Sequence, residues 1–105
     1  MKTIRSYCRW VENAWKFAPK EVTEKDEILF LIEEIGELAE AIRKKKGNKE
    51  SKTANFDLEK EFGDVMLSII TLALRYGIDL ENAFEKTKRS VEQRYMEAKN
   101  EIQNS

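Results

Sequence analysis

Ile28, Ile32, Ile35, Leu38, Ala39 and Ile42 recur three and four residues apart. That interval matches the turn of an α-helix and excludes the strict alternation of a half-buried strand. The same spacing returns at Leu58, Phe62, Val65, Ile69 and Leu72, at Ile4, Tyr7, Cys8, Val11, Ala14 and Trp15, and at Leu80, Ala83, Phe84, Thr87, Val91 and Tyr95. No stretch of useful length carries a strand signal, so the chain reads as all-α, with four helices. Each of the four stripes is expected to be a buried face.

Punctuation sets the expected boundaries. The first helix spans 3–17, with Trp10 off to one side of its stripe, and Pro19, the only proline, ends that segment. Thr23 caps a second helix over 24–46, with Glu24 and Asp26 at its positive end. Arg43, Lys44, Lys45 and Lys46 suit its C-terminus, and Gly47 supplies the stop. Residues 47–54 read as a polar loop, after which Thr53 or Asn55 caps a third helix running to about Arg75. That helix is apolar over most of its circumference from Val65 to Leu74, which implies burial on more than one side, as a central helix or at a subunit contact. Gly77 and Asp79 punctuate the turn into a last helix from about Leu80, whose pattern fades after Glu97.

With 105 residues the chain is one domain, 1–105. A net charge of −1 gives no field for nucleic acid or an anionic membrane, and no basic stripe alternates with aromatics. No apolar run approaches the roughly 20 residues of a membrane span, and the N-terminus lacks the apolar core of a signal peptide. Cys8 is the only cysteine, which excludes an internal disulfide and fits a reducing cytoplasm. There is no histidine, so the commonest zinc ligand and the usual general base are missing.

The chemistry-bearing residues are carboxylates beside the apolar stripes. Glu34 and Glu37 are three apart on the second helix, and Glu61 and Asp64 are three apart on the third. Residues at that spacing share a face. If the two helices pack antiparallel, the four carboxylates converge. Like charges that close repel unless cations hold them, and oxygen-only donors suit magnesium. Gly36 and Gly63 lie inside these helices, where each costs up to about 1 kcal/mol relative to alanine, a hint of close helix approach. Glu33 and Glu40 are the nearest spare carboxylates for activating a water.

Glu33-Glu34-x-x-Glu37, followed by Glu61-x-x-Asp64, resembles the signature of the MazG-like nucleotide pyrophosphohydrolases. The neighbours agree, from Ile32 to Ile42 and from Leu58 to Val65, as does the turn Tyr76-Gly77-Ile78-Asp79-Leu80. The resemblance covers about residues 25–95. It implies an all-α protomer packing into an oligomeric bundle, a homodimer or homotetramer. It also implies magnesium-dependent hydrolysis of nucleoside triphosphates to a monophosphate and pyrophosphate, as removal of unwanted nucleotides. Glu34, Glu37, Glu61 and Asp64 would bind metal, and Glu33 would orient water or support the ligands. In the last helix the chain departs from its relatives: Lys88 stands where many have Asn, and Ser90 where many have Lys, while Arg94-Tyr95 is retained. Lys86, Arg89 or Arg94 is then the expected phosphate contact, and Trp10 and Trp15 are the aromatics that correspond to a base site. The competing expectation is a non-catalytic helical oligomerisation module of the same fold, favoured by the broad apolar third helix and the altered last helix.

Overall fold

The computed structural model describes residues 2–15, 23–47 and 52–104. They form four helices and, among the described residues, no strand: α1 (Ile4–Ala14), α2 (Glu24–Gly47), α3 (Lys52–Arg75) and α4 (Leu80–Asn104). No helix of the described residues is long and apolar enough to cross a membrane.

Local chemistry explains where the helices start and stop. Thr3 and Ser6 make a reciprocal capping box on α1, the Ser6 N–H donating to Thr3 Oγ1 at 3.1 Å and the Thr3 N–H to Ser6 Oγ at 2.9 Å. Thr23 and Asp26 repeat the device on α2, at 3.3 and 2.9 Å. The Asn82 N–H donates to Asp79 Oδ1 at 3.2 Å, so Asp79 caps α4 as its position in the sequence indicates. Gly77, at φ 64°, closes α3 with a Schellman motif. The Ile78 N–H donates to the Ala73 carbonyl at 2.9 Å, and the Gly77 N–H to the Leu74 carbonyl at 3.1 Å.

Several boundaries differ from expectation. The α-helical part of α1 ends at Ala14, with Trp15 in a final tighter turn, and residues 16–22, including Pro19, lie outside the described residues. Gly47 is the last residue of α2 rather than the residue beyond it. Lys52, Thr53 and Ala54 are already helical, so the expected loop over 47–54 is shorter, its residues 48–51 lying outside the described residues. Thr53 and Asn55 therefore lie within the span of α3 rather than before it. Polar positions near a helix start satisfy either a cap or a first turn, and the sequence pattern does not separate the two. At the other end α4 continues to Asn104, beyond the point where its apolar pattern fades.

The architecture is a long hairpin, α2 against α3, with α1 lying on α3 and α4 packing against α1. Arg5 ties α1 to the start of α4, its two guanidinium nitrogens at 3.0 Å from Asp79 Oδ2 and 2.9 Å from Glu81 Oε2. Cys8 is a half-buried free thiol nearby, its pKa raised by partial burial and by the charges of Asp79 and Glu81.

The face of α2 turned to α3 is not the isoleucine stripe. It is Glu27, Leu31, Glu34, Leu38 and Ala41, all buried or half-buried and also spaced four and three apart. Ile28, Ile32, Ile35, Ala39 and Ile42 are exposed instead, Ile32 at 59%. On α3, Phe62 and Ile69 are exposed, while Ile70 and Thr71 are buried. Phe84, Val91 and Tyr95 of the α4 stripe are exposed as well. The described core is correspondingly thin: Val11, Ala41 and Ile70 are its buried apolar side chains. The radius of gyration is 18.1 Å, against about 13 Å for a compact domain of this length.

One polar anchor sits in the hairpin. Glu27 is buried, and Arg75 reaches it at 3.3 Å while its guanidinium carbon lies 4.8 Å from the centre of the Trp15 ring. Three helix ends are thus joined by one cation. Arg75→Ala leaves Glu27 buried without its partner and removes the cation–π contact. Discounting for the partial exposure of Arg75, we expect a loss of about 2 kcal/mol in chemical denaturation. A loss under a few tenths would mean the anchor contributes nothing.

Candidate active site

The antiparallel packing of α2 on α3 brings Glu34, Glu61 and Asp64 together two turns from the Glu27–Arg75 anchor. One carboxylate oxygen of each lies within 4.8 Å of the others, and all three side chains are half-buried. They sit on the packed faces of both helices because Glu34 follows Glu27 and Leu31 at four- and three-residue steps. Glu37, one turn further along α2, is exposed at the rim and within hydrogen-bonding reach of both Glu34 and Glu61.

The electrostatics are those of an acidic site without enough countercharge. Partial burial raises the pKa of Glu34, and the charges of Glu37, Asp64 and Glu61 raise it further. Burial raises Glu61 too, followed by Glu37 and Asp64, with Lys60 opposing. Glu34 Oε2 and Glu61 Oε2 are buried atoms with no hydrogen-bond partner. Oxygens left this way in a structure need an explanation. A bound divalent cation supplies one, since all the donors are oxygens and three carboxylates converge from rigid helices. The residues present therefore fit a hard cation, held by Glu34, Glu61 and Asp64 with Glu37 alongside.

The other candidate residues fall into different places. Glu33 is exposed on α2. Glu40 is held by Arg43, whose Nη2 lies 2.8 Å from both of its oxygens, an arrangement that keeps the Glu40 carboxyl below its usual pKa. Lys86, Arg89 and Arg94 are exposed on α4, which packs on α1, and none of the three forms an ion pair among the described residues. Lys88 reaches Glu92 at 3.6 Å on the same helix. Trp15 is engaged with Arg75. Trp10, 65% exposed, lines an apolar cavity of about 300 Å³ with Tyr7, Val11, Gly63, Met66, Leu67 and Ile70. Gly63, Met66, Leu67 and Ile70 put this cavity on the face of α3 turned to α1, whereas Glu61 and Asp64 lie on the face turned to α2.

A Cβ built on Gly36 or on Gly63 would meet nothing within 4 Å. The expected close helix approach at these glycines is absent from the single chain. Gly63 leaves space on the cavity side instead. One feature the sequence reading passed over is Lys60, whose Nζ lies 2.8 Å from Asp64 Oδ2. Its four-residue spacing from Asp64 was a signal that could have found it.

A model of the MazG nucleotide pyrophosphohydrolase domain matches residues 22–97. The chain belongs to the MazG nucleotide pyrophosphohydrolase family. That span runs from just before α2 into α4 and contains all four carboxylates of the site. No curated protein matches the chain significantly. The MazG match and the four-helix architecture agree with the resemblance read from the two carboxylate motifs.

Proposed function

We propose that this chain hydrolyses nucleoside triphosphates between the α and β phosphates, with magnesium, releasing a monophosphate and pyrophosphate. The observation that carries the proposal is the convergence of Glu34, Glu61 and Asp64 in a MazG domain, with two of their buried oxygens unpartnered. Held by Glu34, Glu61 and Asp64, magnesium would supply countercharge for the phosphates and make a nearby water more acidic. The chain's own residues do the rest. Glu34, Glu61 and Asp64 would hold the ion from the packed faces of α2 and α3. Glu37, at the rim beside Glu34 and Glu61, and Glu33, exposed on α2, are the carboxylates left to orient a water and take its proton, since there is no histidine and Glu40 is occupied by Arg43. The cavity holding Trp10 and Tyr7 offers an aromatic, apolar surface for a base. Removal of unwanted nucleotides is the physiological role that fits such a reaction.

The working unit is a homodimer or homotetramer. The exposed isoleucines of α2 and the exposed apolar residues of α3 and α4 support this, as does the extended shape. A second copy can cover them, and α4 of that copy could then bring Lys86, Arg89 or Arg94 toward phosphate. The same apolar surfaces favour a second reading, a non-catalytic assembly module. The two separate in a melting experiment with magnesium and a non-hydrolysable nucleoside triphosphate analogue. Only a ligand of the folded state stabilises it, by about 2.7 kcal/mol at a hundredfold excess over its dissociation constant. The catalytic reading expects a rise of several degrees that needs both components. No shift with either would favour the assembly module.

A further inference from the structure

We propose that Lys60 is a tethered counter-ion of the carboxylate site, holding at Asp64 the place that a divalent cation takes. The inference rests on the metal-site reading of Glu34, Glu61 and Asp64. Lys60 Nζ lies 2.8 Å from Asp64 Oδ2. Among the described residues it is the only cation in an ion pair with one of the three converging carboxylates. The pair differs from the Lys88–Glu92 pair on α4, which spans 3.6 Å between two side chains more than half exposed. The Asp64 side chain is only 31% exposed and faces two carboxylates with orphaned oxygens. Lysine one turn ahead of an acid is also the less favoured order on an isolated helix. The local acidic field, rather than helix preference, accounts for where the ammonium rests.

A divalent cation held by the three carboxylates and the Lys60 ammonium draw on the same Asp64 charge and repel each other. Loading the site therefore weakens the Lys60–Asp64 contact, and the long lysine stem lets the head move into solvent. Metal alone binds against this competition. When a triphosphate accompanies the metal, the displaced ammonium has an anion beside it. Lys60 thus favours joint binding of metal and triphosphate over metal alone.

The test is calorimetric titration of the full chain with Mn²⁺ alone, which requires no turnover. Lys60→Met keeps the stem and removes the charge, and Lys60→Arg keeps the charge. We expect Lys60→Met to bind Mn²⁺ about threefold more tightly than the parent at low salt, the size of an exposed ion-pair effect. The difference should shrink as salt rises, and Lys60→Arg should behave as the parent. Equal or weaker Mn²⁺ binding by Lys60→Met overturns this inference and leaves the metal site standing. No Mn²⁺ binding by any of the three proteins overturns both. Because Lys60 is 62% exposed, its replacement leaves the packing of α2 on α3 unchanged, which circular dichroism verifies.

Discussion

Glu34→Gln and Asp64→Asn will each reduce turnover by at least about a hundredfold while the helical content stays unchanged. Each amide matches the carboxyl in size, so the packing of α2 on α3 has no steric reason to alter. What changes is charge. A hard cation binds carboxylate oxygens far better than amide oxygens, and loss of a supporting partner one shell further out already costs about ten- to a hundredfold at metal sites. A direct ligand should cost at least the upper figure. The two variants differ in the metal-free protein. Glu34→Gln removes a carboxylate whose ionisation is opposed by Glu37, Asp64 and Glu61, so its melting temperature should equal or exceed the parent's without metal. Asp64→Asn also breaks the contact with Lys60, so it should gain less or nothing. Both should lack the stabilisation by magnesium with nucleotide that is expected of the parent. Steady-state kinetics and circular dichroism on the same preparations check this. Full activity in both variants would mean the cluster is not the site.

If the chain assembles as proposed, Ile32→Asp will break the assembly into smaller units. Ile32 is the most exposed of the four isoleucines along the outer face of α2, at 59%. If a second copy covers that face, each isoleucine contributes about 1.5–3 kcal/mol on burial. Aspartate forfeits that contribution and is too short to reach water from within an apolar contact. We expect the dissociation constant of the assembly to rise at least about a thousandfold, equivalent to about 4 kcal/mol. Light scattering at micromolar concentration should show the parent assembled and the variant as a single chain. An assembled Ile32→Asp protein would remove α2 from the interface, and a parent that is already a single chain would overturn the proposed assembly.

These two predictions draw on opposite sides of one helix, and the sequence announced one of them more clearly. The four helices, the Thr23 and Asp79 caps and the Gly77 stop all follow from local chemistry, so they were legible before the fold. The carboxylate cluster was legible because Glu34, Glu61 and Asp64 keep helical spacing beside apolar residues, and two helices joined by a short link must pack antiparallel. Which stripe of α2 faces α3 was not. Both Ile28–Ile32–Ile35–Ile42 and Leu31–Leu38–Ala41 keep a four-three rhythm, and hydropathy favours the first. The hairpin uses the second, which also carries Glu27, whose partner Arg75 lies across the interface. Periodicity finds apolar faces, but it does not say which partner covers each. The Glu27–Arg75–Trp15 anchor was hidden for the same reason: its members come from three helices and share no local motif. Gly63 was noticed for its cost to a helix, yet its role as the open wall of the Trp10 cavity depends on where α1 lies.

The central claim is a reaction: cleavage between the α and β phosphates with magnesium, at the meeting point of α2 and α3. Phosphorus NMR of the purified protein with a panel of nucleoside and deoxynucleoside triphosphates and magnesium tests it most directly. Monophosphate and pyrophosphate are expected in equal amounts, absent when magnesium is chelated or when Asp64→Asn replaces the parent. Diphosphate with orthophosphate, or turnover that survives both controls, would contradict it.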